Sequence, residues 1–172
     1  SPGQVLGGGS SHVRPHRVSE PPDALRRRFG PDVAVVWEPG CRTHRLCPAL
    51  ARSRFRVETF ASLEPGGEPA QVGEVEELGA DLADPDLPGL DPHAWSQTYR
   101  AEWVPSRTGR HVFGVTAIGR SRVFVDGALV ADNWTAPIPG HTFYANGTTE
   151  VRGAVELPAG RPVELRVDYQ RH

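Results

Sequence analysis

The sequence predicts a mainly β protein: an antiparallel β-sandwich over residues 51–172, preceded by a short α/β segment over residues 1–50. From residue 53 onward the periodic stretches alternate apolar and polar residues with period two, which is typical of half-buried strands. Asp126-Gly127 separates two such stretches and supplies the positive φ angles of a tight hairpin. The first fifty residues instead follow the order loop, helix and apolar run, which indicates an α/β unit.

In the N-terminal segment, a glycine-rich loop at residues 7–15 precedes a predicted helix at residues 21–30. That helix has proline at its start, arginines in its last turn and glycine beyond its end. Residues 33–37, Val-Ala-Val-Val-Trp, form a continuous apolar run of the kind that is buried as a strand in parallel sheets. Because the segment is too small for a core of its own, we expect it to pack loosely in isolation.

The β-domain begins with a strand in which Phe55 and Val57 share one face. Residues 95–103 and 163–169 alternate in the same way and are predicted as two further half-buried strands. Trp95, Tyr99 and Trp103 lie on one strand face, and aromatic residues with this spacing are mostly core residues.

Residues 108–134 are predicted to form two hairpins. The first opens at Thr108-Gly109, places His111, Phe113 and Val115 on one face and closes at Ile118-Gly119. The second joins residues 122–125 to residues 128–131 through Asp126-Gly127.

Two longer stretches lack this periodicity. Residues 64–93 are rich in Asp, Glu, Pro and Gly and are interpreted as a solvated connection without a ligand. Residues 134–149 combine turn-forming residues with the aromatic side chains of Trp134, Phe143 and Tyr144, a composition typical of recognition loops. The polar side chains of Asn133 and His141 are close to them in sequence and could bind sugar hydroxyl groups.

Composition and charge exclude several classes of function. The net charge is -2, with nine acidic residues between positions 64 and 91, so there is no basic footprint for a nucleic acid. No apolar run approaches the roughly 20 residues of a membrane helix, and the compartment, cytoplasmic or secreted, stays open. All 19 basic residues are arginine, which indicates a GC-rich, actinobacterial genome. Methionine is absent, even at the first position, so we expect the chain to be a piece of a longer protein.

The sequence predicts no metal and no cofactor. Cys41 and Cys47 are separated by five residues, a spacing that matches no zinc pattern and leaves a disulfide neither established nor excluded. Asp126, Asp132 and Asn133 have the oxygen ligands that a hard cation prefers, but Asp126 is interpreted as a turn residue.

Four segments carry a resemblance to a known family. They are residues 55–60 (FRVETF), residues 99–105 (YRAEWVP), the central hairpins with RVFVDGALVADNW, and residues 157–169 ending in VELRVDY. In this order and spacing they resemble the PA14 domain, a β-sandwich named after anthrax protective antigen and found in many carbohydrate-active proteins. The resemblance covers about two thirds of the chain.

The first fifty residues resemble a second family. GGGSSHVRP at residues 7–15, residues 22–25 and the apolar run leading into Glu-Pro-Gly-Cys are similar to the α/β-sandwich domain of glycoside hydrolase family 3, just before an inserted PA14 domain. This similarity implies that the parent protein is a retaining β-glucosidase. It also implies that Ser10 and Arg14 approach the substrate region, whereas the nucleophilic Asp and the acid/base Glu both lie outside this chain. Since retaining hydrolysis needs both carboxylates, the chain alone is expected to hydrolyse nothing.

We therefore expect an accessory domain of a β-glucosidase that borders the aglycone side of the active site and selects substrates by shape. Its partners would be a carbohydrate or glucoside ligand and the remaining domains of the parent hydrolase. A free-standing lectin or adhesin module and a purely structural packing or dimerisation domain are the alternatives. The candidate ligand-binding residues are Trp134, Phe143, Tyr144, Asn133, His141, Arg14 and Ser10.

Overall fold

A computed structural model of the chain describes residues 16–38, 44–50, 53–76, 78 and 87–171. The chain divides into two compact units, Ser1–Thr43 and His44–His172. The described residues form one helix and eight strands: α1 Pro21–Phe29, β1 Phe55–Phe60, β2 Gln71–Val75, β3 Ser96–Trp103, β4 Gly109–Val115, β5 Arg120–Val125, β6 Ala128–Asn133, β7 Val151–Leu157 and β8 Val163–Gln170.

The helix predicted in the N-terminal unit is confirmed. Proline occupies its first turn, where no intrahelical N–H bond is lost. The helix ends at Gly30, whose φ of 68° falls in the left-handed region and whose amide donates to the carbonyl of Arg26. None of the helical residues is buried.

The strand predicted at residues 33–37 is wrong. These residues form no strand, and the side chains of Val36 and Trp37 are 79% and 50% exposed. A strand needs a neighbour to accept and donate its backbone hydrogen bonds, and no described strand pairs with this run. The apolar side chains are therefore left at the surface of the unit.

The second unit consists of two antiparallel sheets that form the predicted sandwich. The larger sheet has the order β2-β1-β3-β8-β5-β6, and the smaller one pairs β4 with β7. Between them lies a core of four buried side chains, against which side chains of the smaller sheet, including Phe113 and Val155, also pack. The four are Val125, Leu157, Val163 and Leu165.

The second predicted hairpin is confirmed and the first is wrong. Asp126 and Gly127 have φ angles of 46° and 79° and join β5 to β6, the signature of a tight two-residue turn. By contrast β4 pairs with β7 along its whole length and not with β5. Residues 116–119 carry the chain from the smaller sheet to the larger one. Alternation identifies the inward face of a strand but not the strand beside it.

The inward face of β4 is the predicted one. The rings of His111 and Phe113 meet the ring of Trp103 edge-on, at centroid distances of 5.5 and 5.9 Å. Trp95 is 4% exposed and packs on Tyr169 at 5.2 Å. The core roles predicted for Trp95 and Trp103 are thus confirmed.

The stretch predicted to be an irregular connection, residues 64–93, contains strand β2. Its five residues pair with β1 from Phe55↔Val75 to Thr59↔Gln71. All five are exposed, so neither side-chain face of this edge strand is covered. Because β2 has no buried face, its residues show no alternation of apolar and polar side chains, and the sequence pattern did not predict the strand.

The entry segment, residues 44–50, is held against the smaller sheet by two side chains of the distant residues Glu150 and Arg152. The backbone N–H of Cys47 donates to Glu150 Oε1 at 2.7 Å, and Arg152 Nη2 donates to the carbonyl of Arg45 at 2.9 Å. Glu150 and Arg152 also form an ion pair with each other. Cys47 is a free thiol, while Cys41 lies outside the described residues.

Burial, followed by the negative charge of Glu150, raises the pKa of the Cys47 thiol. We expect iodoacetamide at pH 8 to alkylate Cys47 roughly tenfold more slowly in the folded chain than in urea, since the thiolate is the nucleophile. Mass spectrometry of a Cys41→Ser chain would measure both rates, and Glu150→Gln should accelerate the folded-state reaction. Equal rates in the folded and unfolded chains would contradict this account of the thiol.

Candidate functional site

The aromatic loop, residues 134–149, connects β6 to β7 and forms no strand among its residues. Its irregular course agrees with the sequence prediction. Short backbone hydrogen bonds nevertheless define it, including Gly140 N to Gly147 O at 2.9 Å and Thr149 N to Ile138 O at 2.7 Å. The loop is thus an ordered structure that can present side chains in fixed positions.

Asn133 closes the base of the aromatic loop. Its Nδ2 donates to Ser121 Oγ at 3.2 Å and to Thr148 Oγ1 at 2.8 Å. Thr148 Oγ1 also accepts the N–H of Ala117 at 3.2 Å. These bonds tie the start of the loop to its end and to the crossover between the two sheets.

Trp134 is fixed at the start of the loop. Asp132 Oδ1 accepts the N–H groups of Trp134 and Thr135 at 2.8 and 3.0 Å. The Thr135 hydroxyl donates to Asp132 Oδ2 at 2.7 Å. These bonds, led by that of the Thr135 hydroxyl, lower the pKa of Asp132. Arg120 Nη1 donates to the carbonyl of Trp134 at 3.2 Å.

Two of the predicted ligand-binding residues lie inside the domain. Asn133 is 0% exposed and Trp134 is 7% exposed, so neither side chain is at the surface of the loop. The Nδ2 group of Asn133 donates to two hydroxyl groups, which offsets the cost of burying this amide donor, and the Trp134 ring lies against the Arg122 guanidinium group. Their sequence position beside exposed aromatic residues did not reveal that these two side chains are buried.

The tip of the aromatic loop has an unusual backbone. Phe143, Tyr144 and Ala145 have φ angles of 50°, 58° and 66°, all in the left-handed region that favours glycine. Such residues cost about 1–3 kcal/mol each and persist only where the surroundings hold them. Here Gly147 N donates to the carbonyl of Thr142 at 3.0 Å, closing the turn.

A group of threonine hydroxyls supports this turn from below. Thr116 Oγ1 and Thr142 Oγ1 donate to the carbonyl of Thr148 at 2.7 and 3.0 Å. Gly147 packs so closely on Thr142 and Phe143 that a Cβ at this position would collide with both side chains. The strained tip therefore rests on a well-packed base.

The predicted candidates that do reach the surface lie at this tip. Tyr144 is 83% exposed, His141 is exposed and Phe143 is half-buried. Ile138, which was not among the residues predicted from the sequence, is 62% exposed in the same loop. Ser10 and Arg14 lie outside the described residues.

The tip offers binding chemistry. An exposed phenol ring supplies a flat apolar face for C–H groups and a hydroxyl for hydrogen bonding. Residues 134–149 contain no carboxylate, whereas glycoside hydrolysis requires two. Among the described residues, no group of three or more His, Cys, Asp and Glu side chains could hold a metal ion. In the same part of the chain, no helix is long and apolar enough to cross a membrane.

Comparison with known proteins identifies the β-domain. The family model described as "PA14 domain" matches residues 73–172. The chain belongs to the PA14 domain family. Strand β1 and the entry segment precede the matched residues and lie in the same compact unit.

Relatives of the chain extend over nearly its whole length. It is 32% identical to a β-glucosidase of Rhizobium radiobacter over 97% of this chain and 20% of that relative. It is 28% identical to a probable β-glucosidase H of Aspergillus clavatus over 96% of this chain and 20% of that relative. A crystal structure of the β-glucosidase from Kluyveromyces marxianus superposes with a TM-score of 0.68, at 20% identity, over 95% of this chain and 22% of that one. The same protein has also been solved in complex with glucose. The chain thus spans about a fifth of the length of its curated relatives.

Proposed function

We propose that this chain is an accessory segment of a retaining β-glucosidase of glycoside hydrolase family 3. Residues 1–50 would belong to the enzyme's α/β-sandwich domain, and residues 51–172 would be the PA14 domain inserted after it. The similarity of both units together to β-glucosidases supports this assignment, since it covers 97% of the chain. The catalytic carboxylates would come from the remaining domains.

The exposed apolar side chains of the N-terminal unit support packing against those domains. Val33, Val36 and Trp37 are 48%, 79% and 50% exposed, and Phe29 of the helix is 51% exposed. Large apolar side chains that lie close in sequence and are exposed together are typical of segments that bind other protein surfaces. The partner of this unit would therefore be the rest of the α/β domain.

The aromatic loop would border the aglycone side of the active site and select substrates by shape. Tyr144 carries this proposal, because its ring is 83% exposed on a strained turn that a threonine cluster holds in place. Phe143 and His141 would add contacts beside it, and Ser10 and Arg14 would approach the substrate from the glycine-rich loop. Asn133 and Trp134 would support the loop.

We expect Tyr144→Ala in the full-length protein to lower kcat/KM for a bulky aryl β-glucoside relative to methyl β-glucoside by roughly 3- to 10-fold, the loss of one aromatic contact. Steady-state kinetics with both substrates would measure this ratio. Leu129→Ala is the matched control, since Leu129 is 52% exposed on β6 outside the loop. An unchanged ratio in Tyr144→Ala would rule out selection by this side chain and favour a purely structural domain.

A further inference from the structure

The outer face of the six-stranded sheet carries a column of alternating aromatic rings and guanidinium groups. Arg122 Cζ lies 4.4 Å from the ring centroid of Trp134 and 5.5 Å from that of Phe124. Arg166 Cζ lies 3.8 Å from the centroid of the same Phe124 ring. The order is thus Trp134, Arg122, Phe124, Arg166, with each cation within cation–π distance of a ring.

Asp168 fixes the arginines of this column. Arg122 Nε donates to Asp168 Oδ2 at 2.9 Å, and the Thr98 hydroxyl donates to Oδ1 at 3.1 Å. Arg166 Nε lies 3.5 Å from the same Oδ1. The Asp168 side chain is only 5% exposed, and its hydrogen bond to Nε holds the Arg122 guanidinium group over the Trp134 ring.

Trp134 links this column to the aromatic loop. It is the first residue after β6, and its backbone is held on both sides by Asp132 and Arg120. Asn133 then joins this point to Thr148 at the other end of the loop. Contacts on the outer sheet face therefore position the start of the loop at Trp134. The hydrogen bond from Asn133 to Thr148 then positions the end of the loop relative to its start.

We propose that Arg122 is a positioning residue whose stack on Trp134 holds the aromatic loop and thereby sets which aglycones Tyr144 accepts. The selectivity part rests on the proposed function, in which Tyr144 contacts the aglycone. Three left-handed residues at the tip keep their conformation only while the loop is held. Loss of the anchor lets the tip relax and changes the position of the exposed ring.

The test uses the full-length protein with Arg122→Lys, Trp134→Leu and Trp134→Phe. Lysine keeps the charge but loses the planar group, leucine fills space without a ring, and phenylalanine keeps a ring. Arg100→Lys is the control on the same sheet face, since Arg100 makes an exposed ion pair with Glu164 at 3.2 Å. The readouts are hydrogen exchange of the Gly147 amide, which is bound to Thr142, and the kcat/KM ratio for aryl and methyl β-glucosides.

We expect Arg122→Lys and Trp134→Leu to accelerate Gly147 exchange roughly tenfold and to shift the substrate ratio roughly threefold through KM for the aryl glucoside. Trp134→Phe, which keeps a ring, should deviate from the wild type less than Trp134→Leu does, and Arg100→Lys should retain the wild-type values. Wild-type exchange in both Arg122→Lys and Trp134→Leu would overturn the proposal whatever the kinetics show.

Kinetic outcomes separate this inference from the proposed function. Faster exchange with an unchanged ratio, where Tyr144→Ala does shift the ratio, would overturn the selectivity role of Arg122 alone. If Tyr144→Ala also leaves the ratio unchanged, the proposed function fails. Faster exchange would then still support Arg122 as the residue that holds the loop.

Discussion

Gly153→Ala is expected to lower the free energy of unfolding by about 3 kcal/mol, the upper end of the cost of forcing extra atoms into a packed site, or to prevent folding. Gly153 lies in β7, and a Cβ at this position would overlap the backbone carbonyl of Val130 in β6. A carbonyl within a strand cannot rotate away as a side chain can. The glycine thus lets β7 of the smaller sheet cross close to β6 of the larger one.

Gly73→Ala is the matched control for this substitution. Gly73 also lies within a strand, β2, but a Cβ there would meet no heavy atom within 4 Å. Its free energy of unfolding should stay within about 0.5 kcal/mol of the wild-type value. Urea unfolding followed by circular dichroism compares the two variants, and equal stabilities would show that the sheets do not meet at Gly153.

Asp168→Ala is expected to lower the free energy of unfolding by about 2–3 kcal/mol. Removing one partner of a fully buried ion pair costs about 3–5 kcal/mol, and the expected loss is smaller here because the two arginine side chains are partly exposed to solvent. The Asp168 side chain is 5% exposed, whereas Arg122 and Arg166 are each 28% exposed. Removing the carboxylate leaves two neighbouring guanidinium groups without their shared counter-charge. It also removes the acceptor of the Thr98 hydroxyl.

Glu164→Ala provides the comparison on the same strand. Glu164 pairs with Arg100 on the surface, with side-chain exposures of 53% and 39%. An exposed pair of this kind contributes at most about 1 kcal/mol, so the substitution should be nearly neutral in urea unfolding. A loss in Asp168→Ala no larger than that in Glu164→Ala would contradict the central role of Asp168 in the column.

Sequence periodicity predicted those elements of the fold that have one apolar face. The Asp126-Gly127 hairpin followed from the positive φ angles that these residues tolerate, and the core positions Trp95 and Trp103 followed from their spacing along one strand face. Pairing partners did not follow: β4 pairs with β7, some forty residues further along the chain. Strand β2 was missed because both of its faces are exposed.

For the candidate site, composition identified the loop but not the role of each side chain. Tyr144 and Trp134 are equally aromatic in the sequence, yet one is 83% exposed and the other 7% exposed. The difference arises from Arg122 and Asp168, which belong to strands β5 and β8 and alternate there like solvated surface residues. Long-range contacts of this kind leave no local signal. The actinobacterial source inferred from composition stays a prediction.

The most direct test of the proposed role of the aromatic loop places a reporter on its tip. Site-specific incorporation of 3-fluorotyrosine at position 144 of the full-length protein gives one fluorine resonance to follow during titration with a non-hydrolysable aryl β-glucoside. Contact between Tyr144 and the aglycone would produce a saturable shift with the same Kd as inhibition of hydrolysis. Glucose alone, at a concentration that fills the sugar site to the same extent, should produce no such shift. A resonance that stays unchanged while the inhibitor saturates the enzyme would contradict contact between Tyr144 and the aglycone.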